Sequence, residues 1–281
     1  MDLSAYIRRR ADRYLPISEA GVTLYPVPVA DLELFESTRP ALEFMQQLLP
    51  VEMMQIPLLT ALYQLEMSFQ IQGKKEFNLF TKSVLLLALA LRLGPEDEEE
   101  NIRIARCRVE FNEKNPFELT CLRFRRDDGG ESVITPQAYE RIRYILAAQN
   151  GAEIQPLDAN PKLILAERQI LADRMPDLKR DPAKKIAWVA AKSGVEDEAV
   201  YRWPILKFER RAEVLQQEIN YLIYGVASTM GLVKFENGNP CPSPYYARDL
   251  DAIPAKMLSS IGNGAAERAV AAAGGGTNPT Q

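Results

Sequence analysis

The sequence predicts an α+β protein that is predominantly helical, with an N-terminal helical domain, a small antiparallel β unit in the middle and a C-terminal helical bundle. Three observations carry this expectation. Apolar residues recur at helical spacing over 31–93 and again over 160–230. Between them, 102–125 alternates apolar with polar residues, as strands do. Pro, Gly and Asn-Pro steps fall where these periods change. The boundaries that follow are 1–95 for the N-terminal helical domain with one extended segment, 96–151 for the α+β unit with its hairpin, 152–261 for the helical bundle with an ordered Pro-rich loop, and 262–281 for a disordered tail.

Taken in order, a basic helical lead (Leu3 to Tyr14) precedes Val22-Thr-Leu-Tyr-Pro-Val-Pro-Val29. Its prolines fix φ and remove ladder donors, so it should run extended at an edge. Asp31 is placed to cap a helix carrying Leu32, Phe35 and Leu42, with Pro40 kinking or splitting it. Pro57 fits the first turn of a second helix that Gly73 stops. A third runs from about Glu76 through Val84-Leu-Leu-Leu-Ala-Leu-Ala-Leu91; apolar on every side, it belongs at the centre of the domain, and Gly94-Pro95 ends it.

The acidic run Glu96 to Glu100 reads as a solvated linker. Strands are expected over Ile102–Phe111 and Phe117–Arg125. In each the apolar face changes side midway, as a bulge or an edge position would cause. Asp127-Asp-Gly-Gly130 turns into a third strand, Ser132 to Ile134. Thr135-Pro136 then opens a helix that closes at Asn150-Gly151. Asn160-Pro161, Pro182, Glu196 and Pro204 open four further helices. Pro176 closes the first of them, and the last runs to Met230. The string Asn237 to Pro244 can be neither helix nor central strand.

Composition bounds the chemistry. None of the 281 residues is histidine, which removes the usual general base near neutral pH and the commonest metal ligand. A net charge of −4 disfavours general affinity for phosphate backbones, so nucleic acid is not expected as a partner. Three cysteines (Cys107, Cys121, Cys241) form no disulfide framework and imply free thiols in a reducing cytoplasm. The start has no apolar stretch behind its arginines, and the longest apolar run is far too short to span a bilayer, so neither secretion nor a membrane partner is expected. No phosphate cradle, nucleophile pair or metal-ligand spacing stands out. The expectation is therefore no enzyme, no cofactor and no metal.

Three features bear on binding instead. Lys185 to Trp203 has the small residue, turn glycine and apolar residue of a helix-turn-helix (Ala190, Gly194, Val200). Yet its second helix opens on Glu196-Asp-Glu198, carboxylates that would repel phosphates and that suit a helix start. A structural helix pair is the better reading. Tyr201, Ile205, Phe208, Ala212, Leu215, Ile219, Leu222 and Val226 recur at steps of three and four, a seam that packs on neighbouring helices or supports self-association. Trp203, Tyr221 and Tyr224 would be its off-seam anchors. Methionines cluster at Met45, Met53, Met54 and Met67. Core filling explains most of them, and Met53 and Met54 are the best candidates for an adaptable apolar contact surface.

Tyr25-Pro-Val-Pro-Val29, then Glu198-Ala-Val-Tyr-Arg-Trp-Pro-Ile-Leu-Lys-Phe208, then Val233-Lys-Phe-Glu-Asn-Gly-Asn-Pro240 together resemble helical proteins of bacteriophage and prophage tail gene clusters, especially tail assembly chaperones. The resemblance implies a cytoplasmic protein of the bacterial host that binds a long apolar tape-measure protein and keeps it soluble until tail subunits polymerise. It brings no catalytic residues. A helix-turn-helix DNA-binding regulator and a structural virion subunit are the alternatives.

Overall fold

A computed structural model describes residues 3–73, 77–94, 99–155, 160–174 and 181–230. The fold is α+β and mostly helical, with a three-stranded antiparallel sheet in the middle and helices on both sides of it in sequence. The chain divides into two units, 1–212 and 213–281. Among the described residues, no helix is long and apolar enough to cross a membrane.

In the first unit, α1 (Leu3–Asp12) leads into a hairpin of β1 (Ile17–Glu19) and β2 (Val22–Leu24). Its turn residues Ala20 and Gly21 both have positive φ, the backbone that matches the twist of a two-residue hairpin loop. The helices α2 (Leu32–Leu42), α3 (Leu58–Ile71) and α4 (Leu79–Ala90) follow. Pro40 sits in the last turn of α2, and the helix continues through Leu42, so it is not split. As its composition requires, α4 is buried from Ser83 to Ala90 and packs against α2 and α3. Buried Glu66 receives the opening N–H groups of α4, from Phe80 at 2.8 Å and Thr81 at 3.1 Å.

The end of α4 places an arginine where glycine is usual. Arg92 has φ +52, and the N–H groups of Arg92 and Leu93 close on the carbonyls of Leu89 and Ala88. The Arg92 guanidinium lies 4.5 Å from the ring centroid of Tyr14 and 4.4 Å from that of Tyr25. These two cation–π contacts offset the left-handed backbone.

The expected first strand, Ile102–Phe111, is corrected. Glu100–Ala105 is a short helix, α5, and β3 begins only at Cys107 (Cys107–Asn112). The change of apolar face midway is therefore a change from helix to strand. A bulge does occur, at Glu110–Asn112. The strands β4 (Asn115–Arg125) and β5 (Glu131–Ile134) complete the sheet in the order β3-β4-β5. The sheet shares its core with helices before and after it: β4 packs on α3 and on α6 (Pro136–Asn150), and Tyr63 of α3 stacks on Phe111 with centroids 5.0 Å apart. In α6, Thr135 accepts from Ala138 N–H as the opening cap and Gly151 (φ +73) closes the helix.

Asp31 does not cap α2 with its side chain. Its carboxylate is buried and accepts from Arg103 of α5 at 2.7 Å, an almost completely enclosed ion pair.

The helices α7 (Pro161–Arg174), α8 (Pro182–Ser193), α9 (Asp197–Tyr201) and α10 (Ile205–Thr229) open as the sequence indicates. Asp181 caps α8, and Gly194 (φ +67) ends it. The first turns of α10, through Ala212, belong to the first unit; the rest of the helix belongs to the second. Pro176, the Pro-rich loop from Asn237 to Pro244 and the tail from 262 lie outside the described residues.

The proline-rich strap from Leu24 to Val29 is tied to three different helix ends. Tyr25 N–H donates to Ala90 O of α4 at 2.8 Å, Val27 N–H to Asn150 Oδ1 of α6 at 2.9 Å, and Val29 N–H to Trp203 O before α10 at 2.8 Å. Ile205 N–H donates back to Val27 O, and Gln149 Nε2 to Leu24 O. Pro26 and Pro28 bring no donor, so every N–H of 25–29 that faces the interior has a named acceptor. Of the three segments quoted for the resemblance, 25–29 and 198–208 therefore pair with each other, and 233–240 lies outside the described residues. Asn150→Ala removes the acceptor and strands the buried Val27 N–H, and should cost about 1–3 kcal/mol in denaturant unfolding.

Candidate binding cleft

Where α2 ends and α3 begins, the chain passes through two single 3₁₀ turns, Gln46–Leu48 and Val51–Met53. The gap between the two helices is held open by α6. Arg143, almost fully buried, donates through Nε to Leu42 O at 2.7 Å and through Nη2 to Phe44 O. Those are carbonyls left over at the C-terminal end of α2, where a cation also meets the negative end of the helix dipole. One turn earlier on α6, Glu140 accepts from Leu58 N–H at 3.3 Å, an opening donor of α3 at the positive end of its dipole. A carboxylate and a guanidinium three residues apart on one helix thus clamp one helix end each. Sequence reasoning missed both, because Glu and Arg at this spacing are also what any solvated helix face carries.

The space so fixed is an open cleft of about 580 Å³. Its apolar lining comes from Phe44, Met45, Met54, Ile56, Tyr144 and Ile154, and its polar lining includes Gln46, Gln55, Gln137 and Gln155. Gln46 Nε2 donates to Met54 O at 3.2 Å and so fixes the methionine rim. A neighbouring hollow of about 370 Å³ shares Phe44 and Met45 and adds Leu48 and Leu165. Another, of about 280 Å³, shares Tyr144, Ile154 and Gln155 and reaches Ser4 and Arg8. The three run into one another along one side of the first unit.

The residues singled out from sequence fall in three places. Met54 is exposed and lines the cleft, while Met53 is half-buried in the adjoining turn and does not line it. Met45, counted with the cluster but not chosen, forms cleft floor. Trp203 is half-buried at the turn before α10, with Lys207 Nζ 4.6 Å from its ring centroid, and its carbonyl holds Val29. Tyr221 and Tyr224 are exposed on the part of α10 that lies in the second unit, as are Leu222, Ile223 and Val226. The seam residues Ile205, Phe208 and Ala212 are buried in the first unit. In the helix-turn-helix candidate, Ala190 and Val200 are buried between α8 and α9, and α9 has five residues.

The titratable groups that move do so away from neutrality. Burial pushes the Cys107 thiol up to about 12 and raises Cys121 and Tyr139 as well. Arg123 is hydrogen-bonded through Nε and Nη2 to Glu110 at 3.0 and 3.1 Å, and holds that carboxyl down at about 2. Arg106 lowers Asp127, and the N–H of Lys184 lowers Asp181. None of these is tuned as an acid or base for work near pH 7. Among the described residues, no cluster of three or more acidic or thiol side chains is placed to hold a metal ion.

The Glu110 pair gives a pH prediction. Its folded pKa lies below the ordinary 4.5, so its contribution is complete above that value and fades as pH falls from there towards about 2. The Tm gap between the wild type and Glu110→Gln should therefore be widest at about pH 6 and close by about pH 2. A gap that stays constant across that range would rule out the ion pair as its source.

No family model, no curated protein and no solved structure matches this chain.

Proposed function

We propose that this chain is a non-enzymatic tail assembly chaperone of phage or prophage type. It would act in the bacterial host cytoplasm by shielding apolar helical segments of a tape-measure-like partner. The observation that carries the reading is the methionine-bearing cleft between α2 and α3, framed by rigid helix ends yet lined by side chains that adapt to varied apolar partners. Two further features support it. The α10 segment in the second unit presents the apolar side chains of Leu222, Ile223 and Val226 to solvent. The lowered carboxyls Glu110, Asp127 and Asp181 are held by Arg123, Arg106 and the N–H of Lys184.

Co-expression with a tape-measure protein from a phage tail gene cluster tests the reading. The expected result is a soluble client that co-purifies with this chain and a chain that is missing from purified particles. A client no more soluble than when expressed alone overturns it. Recovery of the chain as a stoichiometric component of particles would make it a virion subunit instead.

A further inference from the structure

The three-stranded sheet ends on an open strand. In the order β3-β4-β5, β3 has a neighbour on one side only. Its register sets Arg108 opposite Arg123 and Glu110 opposite Cys121, and Arg125 N–H donates to Arg106 O at the start of the ladder. Hydrogen-bonded pairs alternate along an antiparallel ladder. Residues 106, 108 and 110 therefore bond to β4, while Cys107 and Val109 aim their N–H and C=O away from it. Among the described residues, those outward groups have no backbone partner. The extra residue of the bulge, Thr120, sits on β4, so β3 itself stays regular as far as Phe111. Such an edge is a template for another strand.

We infer that β3 pairs antiparallel with β3 of a second copy, about a two-fold axis at Val109. In that register Arg108 of each copy lies opposite Glu110 of the other, and Cys107 lies opposite Phe111. The charge pattern is what selects a second copy. Within its own chain Arg108 is exposed, faces Arg123 across the ladder, and makes no hydrogen bond or ion pair among the described residues. Like charges directly opposite on neighbouring strands are destabilising. Arg123 is relieved by Glu110, at 3.0 and 3.1 Å, and by Glu131 at 2.8 Å, which leaves Arg108 over. Glu110 also accepts from the Cys121 thiol, and a carboxylate has room for a further donor. Arg108-Val109-Glu110 is thus its own complement when reversed, and the two-fold axis forms the ion pair twice. On the other face of the strand, half-buried Cys107 and Val109 and the 37% exposed Phe111 meet their counterparts and leave water. The inference does not depend on the cleft.

Analytical ultracentrifugation of the full chain over about 1–200 µM tests it. A ladder from Cys107 to Phe111 is a small interface, so the expected result is a reversible, micromolar dimer with twice the 31.6 kDa mass of one chain. Val109→Pro removes an N–H that β4 does not use, so the variant should keep the wild-type circular dichroism and stay monomeric throughout that range. Arg108→Glu sets a carboxylate opposite Arg123 of its own chain, which suits the fold, and opposite Glu110 of the second copy, which does not. Because the axis doubles that repulsion, the dimer should weaken by about tenfold or more. This variant decides the matter if the proline variant fails to fold. A wild type that is monomeric to the top of the range overturns the inference, as does a dimer that both variants leave intact. A monomeric wild type whose co-purification with a client is lost in Val109→Pro also overturns it, and gives the edge to the client.

Discussion

Arg103→Met is expected to lower the stability of the first unit by about 3–5 kcal/mol, because it leaves the Asp31 carboxylate enclosed without its cation. For a unit of this size the shift in Tm is about 6–20 °C. The arginine also donates to Leu93 O, at 3.4 Å, so its loss releases the chain after α4 as well as the start of α2. The check is a double-mutant cycle read by denaturant unfolding. Asp31→Asn combined with Arg103→Met should recover part of the loss, since the pair costs desolvation that a neutral couple does not. If the two single variants add without recovery, the energy lies in packing of the arginine stem and not in the pair.

Arg143→Met has the second large effect, and it reaches function. Methionine fills much of the same space but donates nothing, so the carbonyls of Leu42 and Phe44 lose two charge-assisted bonds. Each such bond contributes about 1.5–3 kcal/mol, so a total loss of about 3 kcal/mol or more is expected in urea unfolding. The α2 end and the 3₁₀ turns that carry Met54 are no longer held against α6. Co-purification of a tape-measure client should therefore weaken at temperatures where the variant is still folded. Glu140→Gln, which can still accept from Leu58 N–H, should retain most of the binding. Equal binding by Arg143→Met and the wild type would show that the clamp does not shape the cleft.

Local signals made much of this fold legible in the sequence. Thr135-Pro136 and Asn150-Gly151 bracket α6, Pro182 and Gly194 bracket α8, and the all-round apolar α4 lies in the core. Those features depend on a few adjacent residues and need no tertiary context. What escaped were choices settled at a distance. Glu100–Ala105 alternates like a strand, but it became helix when Arg103 was drawn in to Asp31, more than seventy residues away. Asp31 sits where a cap belongs and serves that long-range partner instead. The β1–β2 hairpin was hidden because Ala20-Gly21 is a weaker turn signal than Asn-Gly.

Of the candidate site, the methionine cluster was visible, and Met54 does line the cleft. The glutamine rim and the Glu140–Arg143 clamp were not visible, because they acquire meaning only when α6 meets the facing ends of α2 and α3. Tyr221 and Tyr224 belong to the second unit, and the cleft is built without them.

A photo-crosslinking amino acid in place of Met54, in cells that co-express a tape-measure protein, tests the central claim most directly. The account predicts crosslinks from position 54 to apolar helical segments of that protein, and none from the same probe placed at Glu113 on the β3–β4 turn, which does not line the cleft. Crosslinks from Glu113 alone, or a soluble client that is never captured from position 54, would contradict it.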